Sequence, residues 1–371
     1  MRAEPDAVAS PREPEVLRLT SVPGFVVFDL PGASVSAGGT RLAPDVSVTE
    51  VALLARAMTY KMAVLGHQVA GAKAGLVADP ADQHGRPGLM ARYCAEVGPL
   101  VSAGRLLTGP DMGTSEEDFR PLRAGRPAPS AMRAVVGGMP FEDVLTGFGV
   151  AVAAEAALRA GGDAGWAGRS AAIEGFGKVG GGVAREVASR GGRVVAVSTI
   201  AGCVADPAGL DVEWLLALRQ AHGAAFVGHC GLPVRPPGEL FTAAPADVVV
   251  PGTRPGVLTE AAARALPDGV RVIAPAANAP YTRAGAAQLR RRGILALPDF
   301  VCNAGAVIGY RSARDTSPGQ VLDATADRVT GLISAALGHP DGPLAGATEQ
   351  AAGFLRTWWG DPPPPPYAAG D

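Results

Sequence analysis

Apolar positions along the chain alternate between two spacings. The clusters Val16-Leu17, Phe25-Val26-Val27-Phe28 and Leu30, split by turn residues such as Pro23-Gly24, predict strands. From Val51 the period lengthens, and Val51, Leu54, Ala55, Met58 and Met62 share one helical face. Ser47-Val48-Thr49-Glu50 opens that helix as a capping box and Gly66 closes it. Residues 106–107 predict a short strand running into a glycine turn, residues 120–138 a surface loop, and residues 140–160 a long alanine-rich helix. A strand at 171–174, a helix to Arg190 and a strand at 193–197 follow. Strands at 248–250, 270–273 and 294–297 then alternate with helices at 258–266, 282–292 and 303–311, and residues 324–359 read as closing helices. Repeated strand–helix units predict an α/β fold with a doubly wound parallel sheet.

At 371 residues the chain exceeds one compact core. The pattern divides it into a polar tail (1–15), an N-terminal α/β domain (16–145), a Rossmann-type domain (146–310), C-terminal helices (311–360) and a proline-rich disordered tail (361–371). A net charge of −2 gives no electrostatic footprint for nucleic acid or an acidic membrane surface. No apolar run reaches membrane-spanning length. The four cysteines, Cys94, Cys203, Cys230 and Cys302, are widely spaced and read as free thiols in a reducing cytoplasm, with no metal site.

Composition points to the candidate chemistry. Lys and Arg total 33, but only Lys61, Lys73 and Lys178 are lysine, so 30 are arginine. An amine can titrate where a guanidinium cannot, so a surviving lysine marks a position where that difference matters. Asn278 and Asn303 are the only asparagines. Each has a plain alternative: a lysine at a helix end is usually a solvated cap, and an aspartate such as Asp111 before a glycine turn is usually a turn residue. His67 and Gln68 read as a satisfied loop pair. The segment Gly175-Phe176-Gly177-Lys178-Val179-Gly180 lies between a strand and a helix, the context required of a dinucleotide-binding loop. There the glycines let a pyrophosphate reach a helix N-terminus.

In order along the chain, Gly38-Gly39-Thr40-Arg41, Met58-Thr59-Tyr60-Lys61, Gly71-Ala72-Lys73, Asp111-Met112-Gly113-Thr114, Thr146-Gly147-Phe148-Gly149, residues 175–180, Ala277-Asn278 and residues 298–305 resemble the Glu/Leu/Phe/Val (amino acid) dehydrogenase family. The resemblance covers residues 25–315. It implies an N-terminal substrate domain, a C-terminal Rossmann domain with a cleft between them, and NAD(P)-dependent oxidative deamination of an amino acid, reversible with a 2-oxo acid and ammonia. It further implies that Lys61 binds the substrate carboxylate, helped by the Gly38-Gly39 backbone. By the same resemblance Lys73, its pKa expected to be depressed by Lys61 and desolvation, would activate water, and Asp111 would exchange protons with the amino nitrogen. It likewise implies that Thr146 bonds the nicotinamide carboxamide and that Asn278 and Asn303 position cofactor and substrate. The family also implies a homo-oligomer.

The chain departs from the family at three places. Where an acid commonly binds the ribose 2′-hydroxyl, Ser198-Thr199 stands, which suggests NADP or dual use instead of NAD alone. Glutamate-type members carry a lysine before the Gly-Gly pair and a serine beyond Asn-Ala-Gly. Here these are Ala37 and Tyr310, so a buried substrate carboxylate would lack a cation at a cost of several kcal/mol. Ala37, Gly109, Val307 and Tyr310 then outline an apolar pocket with one phenol, suited to an aliphatic, aromatic or unusual amino acid. Ala70, Ala74 and Pro275 replace family glycines and an acid, and added methyls could reshape a tight lysine loop. Two other readings stay open at this point: a reductase of a keto or imino intermediate of specialised metabolism, and a diverged dinucleotide-binding member without deaminase activity.

Overall fold

The first apolar clusters form β1 (Glu15–Arg18) and β2 (Gly24–Phe28), an antiparallel pair with Val16 opposite Val27. The computed structural model describes residues 13–123 and 129–368. Its chain separates into two units, Met1–Arg126 with Ala351–Ala369, and Pro127–Gln350 with Gly370–Asp371. The division therefore falls after residue 126, not after 145, and the chain returns to the first unit at its end.

In the first unit β3 (Ser36–Ala37), β4 (Thr40–Leu42), α1 (Val48–Val64), β5 (Ala70–Leu76), α2 (Gly85–Ser102) and β6 (Leu106–Leu107) follow. β5 is the central strand. β2 pairs antiparallel along one edge of it, and β3 and β4 pair parallel along the other. Alternate β2 residues serve opposite faces. Val26 and Phe28 join Leu42, Tyr93, Val97 and Phe119 in one core, and Phe25 and Val27 join Val51 and Ala55 of α1 in another.

The glycine-rich segment around Lys73, expected as a tight loop, is instead strand β5, although Ala-Gly-Ala-Lys-Ala-Gly-Leu has little intrinsic strand preference. Here tertiary packing overrides propensity. α1 approaches so closely that a Cβ on Gly71 would stand 1.8 Å from the Ala55 carbonyl oxygen, so residue 71 can carry no side chain. Half of the expected capping box forms: Ser47 accepts the Glu50 amide, while the Glu50 carboxylate turns to Arg41.

The C-terminal proline run also differs from expectation. Residues 1–12 and 369–371 of the two expected tails lie outside the described residues, but 361–368 pack on α1. Tyr60 donates to the Pro363 carbonyl at 2.6 Å and Arg56 to that of Pro364 at 2.7 Å. Proline lacks an N–H, yet its carbonyl is a full acceptor. Part of the expected loop at 120–138 is ordered too: Ala131 and Met132 are buried, and β7 (Val135–Val136) pairs with β8 (Met139–Pro140). Residues 124–128 lie outside the described residues.

The second unit is the doubly wound α/β domain. Its elements are α3 (Phe141–Ala160), β9 (Ser170–Ile173), α4 (Lys178–Ser189), β10 (Arg193–Thr199), β11 (Gly202–Ala205), α5 (Val212–His222), α6 (Leu240–Ala243), β12 (Val248–Val250), α7 (Glu260–Ala265), β13 (Val272–Ile273), α8 (Arg283–Arg291), β14 (Leu295–Ala296), α9 (Asp299–Cys302), α10 (Gly305–Tyr310) and α11 (Pro318–Leu337). The last helix, α12 (Pro343–Arg356), spans the residue-350 division. The sheet order is β11-β10-β9-β12-β13-β14, parallel except for the antiparallel edge strand β11. The order reverses between β9 and β12, and in such sheets ligands bind beyond the carboxyl ends of the strands at that reversal. No helix among the described residues is long and apolar enough to cross a membrane.

Candidate active site

The first unit brings Lys61, Lys73, Asp111 and the Gly38-Gly39 pair onto elements that contact one another. Lys61 is buried in the last turn of α1, and Lys73 is buried in the middle of β5. A polar chain fixes the helix against that strand. The Gly71 amide donates to the Thr59 hydroxyl at 2.9 Å, and that hydroxyl donates to Asp29, which is fully buried and also accepts from Arg56 at 2.6 Å. The spacing of the two lysines is thus set by backbone packing and by Asp29.

Between β3 and β4 the Gly38-Gly39 step lies beside Lys73. A Cβ on Gly38 would stand 1.6 Å from the Ala72 carbonyl oxygen, and one on Gly39 would stand 2.5 Å from that of Pro110 and 3.0 Å from the Asp111 Cβ. No side chain fits at either position. The Gly38 amide donates to the Leu107 carbonyl at 3.0 Å. That bond commits an N–H expected to serve a substrate carboxylate.

Asp111 follows β6 in a turn pinned by Thr114, whose hydroxyl accepts the Asp111 amide and donates to the Thr40 carbonyl, both at 2.9 Å. Its carboxylate meets Lys73 Nζ at 3.0 Å and Arg41 Nε at 3.3 Å. Burial alone would raise this carboxyl, but Lys73 and Arg41 outweigh it and hold Asp111 at about 2. The cluster places one ionised carboxylate against two basic side chains, Lys73 and Arg41.

In the second unit the glycine loop leaves β9 at the strand-order reversal. Gly175 has φ +76°, and a Cβ on it would meet the Gly252 carbonyl oxygen at 3.0 Å. A Cβ on Gly180 would stand 2.2 Å from the Gly175 carbonyl oxygen. Gly177, by contrast, faces open space, with nothing nearer to a Cβ than 3.9 Å. Packing excludes side chains from the first and third glycines, and the second keeps the approach to the α4 N-terminus clear. This cradle fits a dinucleotide pyrophosphate.

The other expected cofactor residues gather nearby in part. Ser198 accepts the Gly175 amide on its hydroxyl at 3.3 Å and the Phe176 amide on its carbonyl at 2.6 Å. Phe176 itself is buried against Phe226, Val179 is half-buried and Lys178 is exposed. Thr199 donates to the Ala224 carbonyl. Asn303 donates to the Asn278 side-chain oxygen at 3.0 Å and to the Ala276 carbonyl at 3.1 Å, so the two asparagines form one unit. The Thr146 hydroxyl donates to the Glu142 carbonyl at 2.9 Å, and the Tyr310 phenol donates to the Glu142 carboxylate at 2.9 Å. Val307 is half-buried on α10. In the first unit Ala37 is buried, and a Cβ on Gly109 would meet the Arg123 guanidinium at 3.3 Å.

Residues 137–312 match the Glutamate/Leucine/Phenylalanine/Valine dehydrogenase family, and residues 32–123 match the Glu/Leu/Phe/Val dehydrogenase dimerisation domain. The chain belongs to this family. Similar proteins include the glutamate dehydrogenase of Aeropyrum pernix, 30% identical over 286 residues, and glutamate dehydrogenase A2 of Halobacterium salinarum, 32% identical over 282. Each alignment covers 73% of this chain, which spans about two thirds of the relatives' length, 66% and 67%. Among solved structures, the hetero-hexameric glutamate dehydrogenase from Thermus thermophilus in its Leu bound form superposes with a TM-score of 0.76 at 26% identity. That match covers 90% of this chain and 84% of that one.

Three charged residues beside these groups carry no signal in the sequence. Arg41, which ends the Gly38-Gly39-Thr40-Arg41 motif, is a second cation on Asp111. Glu174 at the end of β9 accepts the Gly252 amide at 3.2 Å, and burial raises its carboxyl. Arg219 on α5 reaches the glycine loop. Lysine scarcity had singled out Lys61 and Lys73, whereas any one of 30 arginines carries no such signal.

Proposed function

We propose that the protein is an NAD(P)-dependent amino acid dehydrogenase that reversibly deaminates an L-amino acid to a 2-oxo acid and ammonia. Its preferred substrate has an apolar, aromatic or unusual side chain, not that of glutamate. The observation that carries the reaction is the buried contact of Lys73 with an ionised Asp111. Lys61 holds the substrate carboxylate with the Gly39 backbone. Asp111 takes a proton from the substrate ammonium, leaving an amine whose lone pair assists loss of hydride from the α-carbon. Lys73 takes a proton from the water that adds to the resulting iminium, Asp111 returns one to the departing ammonia, and the hydroxyl proton passes to the freed Asp111 carboxylate as the carbonyl forms. A bound dinucleotide would supply the hydride acceptor. The Gly175–Gly180 cradle would hold its pyrophosphate, Asn278 would help position it, and Thr146, its proton committed to Glu142, would accept from the carboxamide.

The case against glutamate rests on Ala37 and Tyr310. Ala37 offers no cation, and the Tyr310 phenol already serves the Glu142 carboxylate. A second carboxylate beside Tyr310 meets like charge. Ser198 and Thr199 in place of an acid support NADP or dual use. The exposed Val16 and Leu17 on edge strand β1 support a homo-oligomer. The substitution Lys73→Ala tests the mechanism: turnover should fall by at least 10³-fold, on the scale of a lost general base, while dinucleotide affinity stays within about threefold. Substantial deaminating activity in this variant would remove Lys73 from the mechanism.

A further inference from the structure

The carboxyl end of β10 lies against the glycine loop, because Ser198 accepts both the Gly175 and the Phe176 amides. In a dinucleotide site this corner receives the adenosine ribose, and an acid there bonds the 2′-hydroxyl. Thr199 occupies the position and ties it to the chain just past α5 through the Ala224 carbonyl at 2.7 Å. From α5 itself Arg219 reaches the same loop, donating from Nη1 to the Gly177 carbonyl at 2.8 Å. A Cβ on Gly181 would stand 2.8 Å from that nitrogen, so the guanidinium lies along the bare first turn of α4. Only one of its N–H groups is hydrogen-bonded among the described residues, and guanidinium carries five. Lys178 stands exposed at the start of α4. Asp143 is the carboxylate felt by both Lys178 and Arg219. Two cations against one acid make the corner attractive to an anion, the reverse of an NAD-selective corner.

We propose that Arg219 is a specificity residue that pairs with the 2′-phosphate of NADP(H). The guanidinium fork suits phosphate, and its bond to Gly177 fixes it beside the loop without using the whole fork. This rests on the NADP or dual-cofactor reading above.

The test is direct binding of NADPH and NADH to the full-length protein, followed by fluorescence of the reduced nicotinamide. The variants are Arg219→Ala, Arg219→Lys and Thr199→Asp, with circular dichroism to confirm folding. Arg219→Ala should weaken NADPH about ten- to a hundredfold, the range of a lost charge-assisted bond, and change NADH by less than about threefold. Arg219→Lys should recover part of the loss, and Thr199→Asp should also weaken NADPH selectively. Equal loss of both cofactors in Arg219→Ala would overturn the proposal, since Arg219 would then only anchor the loop. So would no loss of either. Selective loss in Thr199→Asp but not in Arg219→Ala would sink the role of Arg219 while leaving the cofactor reading intact. Wild-type protein that binds NADH but not NADPH would overturn both.

Discussion

Replacing Asp111 by asparagine isolates the charge at the centre of the site. Asn keeps the shape and an acceptor oxygen but leaves Lys73 and Arg41 without the anion they share. Arg41 retains Glu50, so the loss falls mainly on Lys73, of which only 4% is exposed. Lowering the Asp111 carboxyl from 3.8 to about 2 corresponds to about 2 kcal/mol of stability at pH 7. Loss of one partner from a buried ion pair sets an upper bound of about 3–5 kcal/mol. The folded protein binds this proton less tightly than the unfolded chain. The contribution is therefore complete above the ordinary carboxylate value of 3.8 and fades as pH falls toward 2. Urea unfolding followed by circular dichroism, at fixed protein concentration, should show Asp111→Asn less stable by about 2 kcal/mol at pH 7. The gap should narrow at pH 3. Equal stability at pH 7, or a gap that widens in acid, would refute the electrostatic account.

Two further substitutions probe the framework. Gly71→Ala should destabilise the protein by about 1–3 kcal/mol or more, because its Cβ would stand 1.8 Å from the Ala55 carbonyl oxygen. Denaturant unfolding checks this, and KM for the amino acid should rise as α1 shifts against β5. Tyr60→Phe leaves the buried Pro363 carbonyl without its 2.6 Å donor, a cost of about 1–3 kcal/mol. Limited proteolysis should release the C-terminal segment faster than in the wild type.

The sequence was most legible where one local rule acted alone. The glycine loop, the α1 boundaries and most of the alternating elements of the second unit follow from turn chemistry and periodicity, although β11 and α5 do not. It was least legible where long-range packing decided the outcome. β5 has almost no strand propensity of its own. It becomes the central strand because β2, β3 and β4 pair with it and α1 packs directly on it at Gly71. The proline segment looked unable to fold, since its composition reveals missing donors but not the Tyr60 and Arg56 that use its carbonyls. At the site, Lys61, Lys73 and Asp111 were named from rarity and motif. Arg41 and Arg219 were hidden in an arginine-rich background, although their positions beside Asp111 and Gly177 change the local charge as much as any lysine does.

The most direct test of the central claim is a screen of 2-oxo acids with ammonia against NADH and NADPH, following loss of the reduced cofactor. Aliphatic, aromatic or unusual 2-oxo acids should be aminated with higher kcat/KM than 2-oxoglutarate. A kcat/KM for 2-oxoglutarate above every apolar substrate, or no amination of any oxo acid, would contradict it.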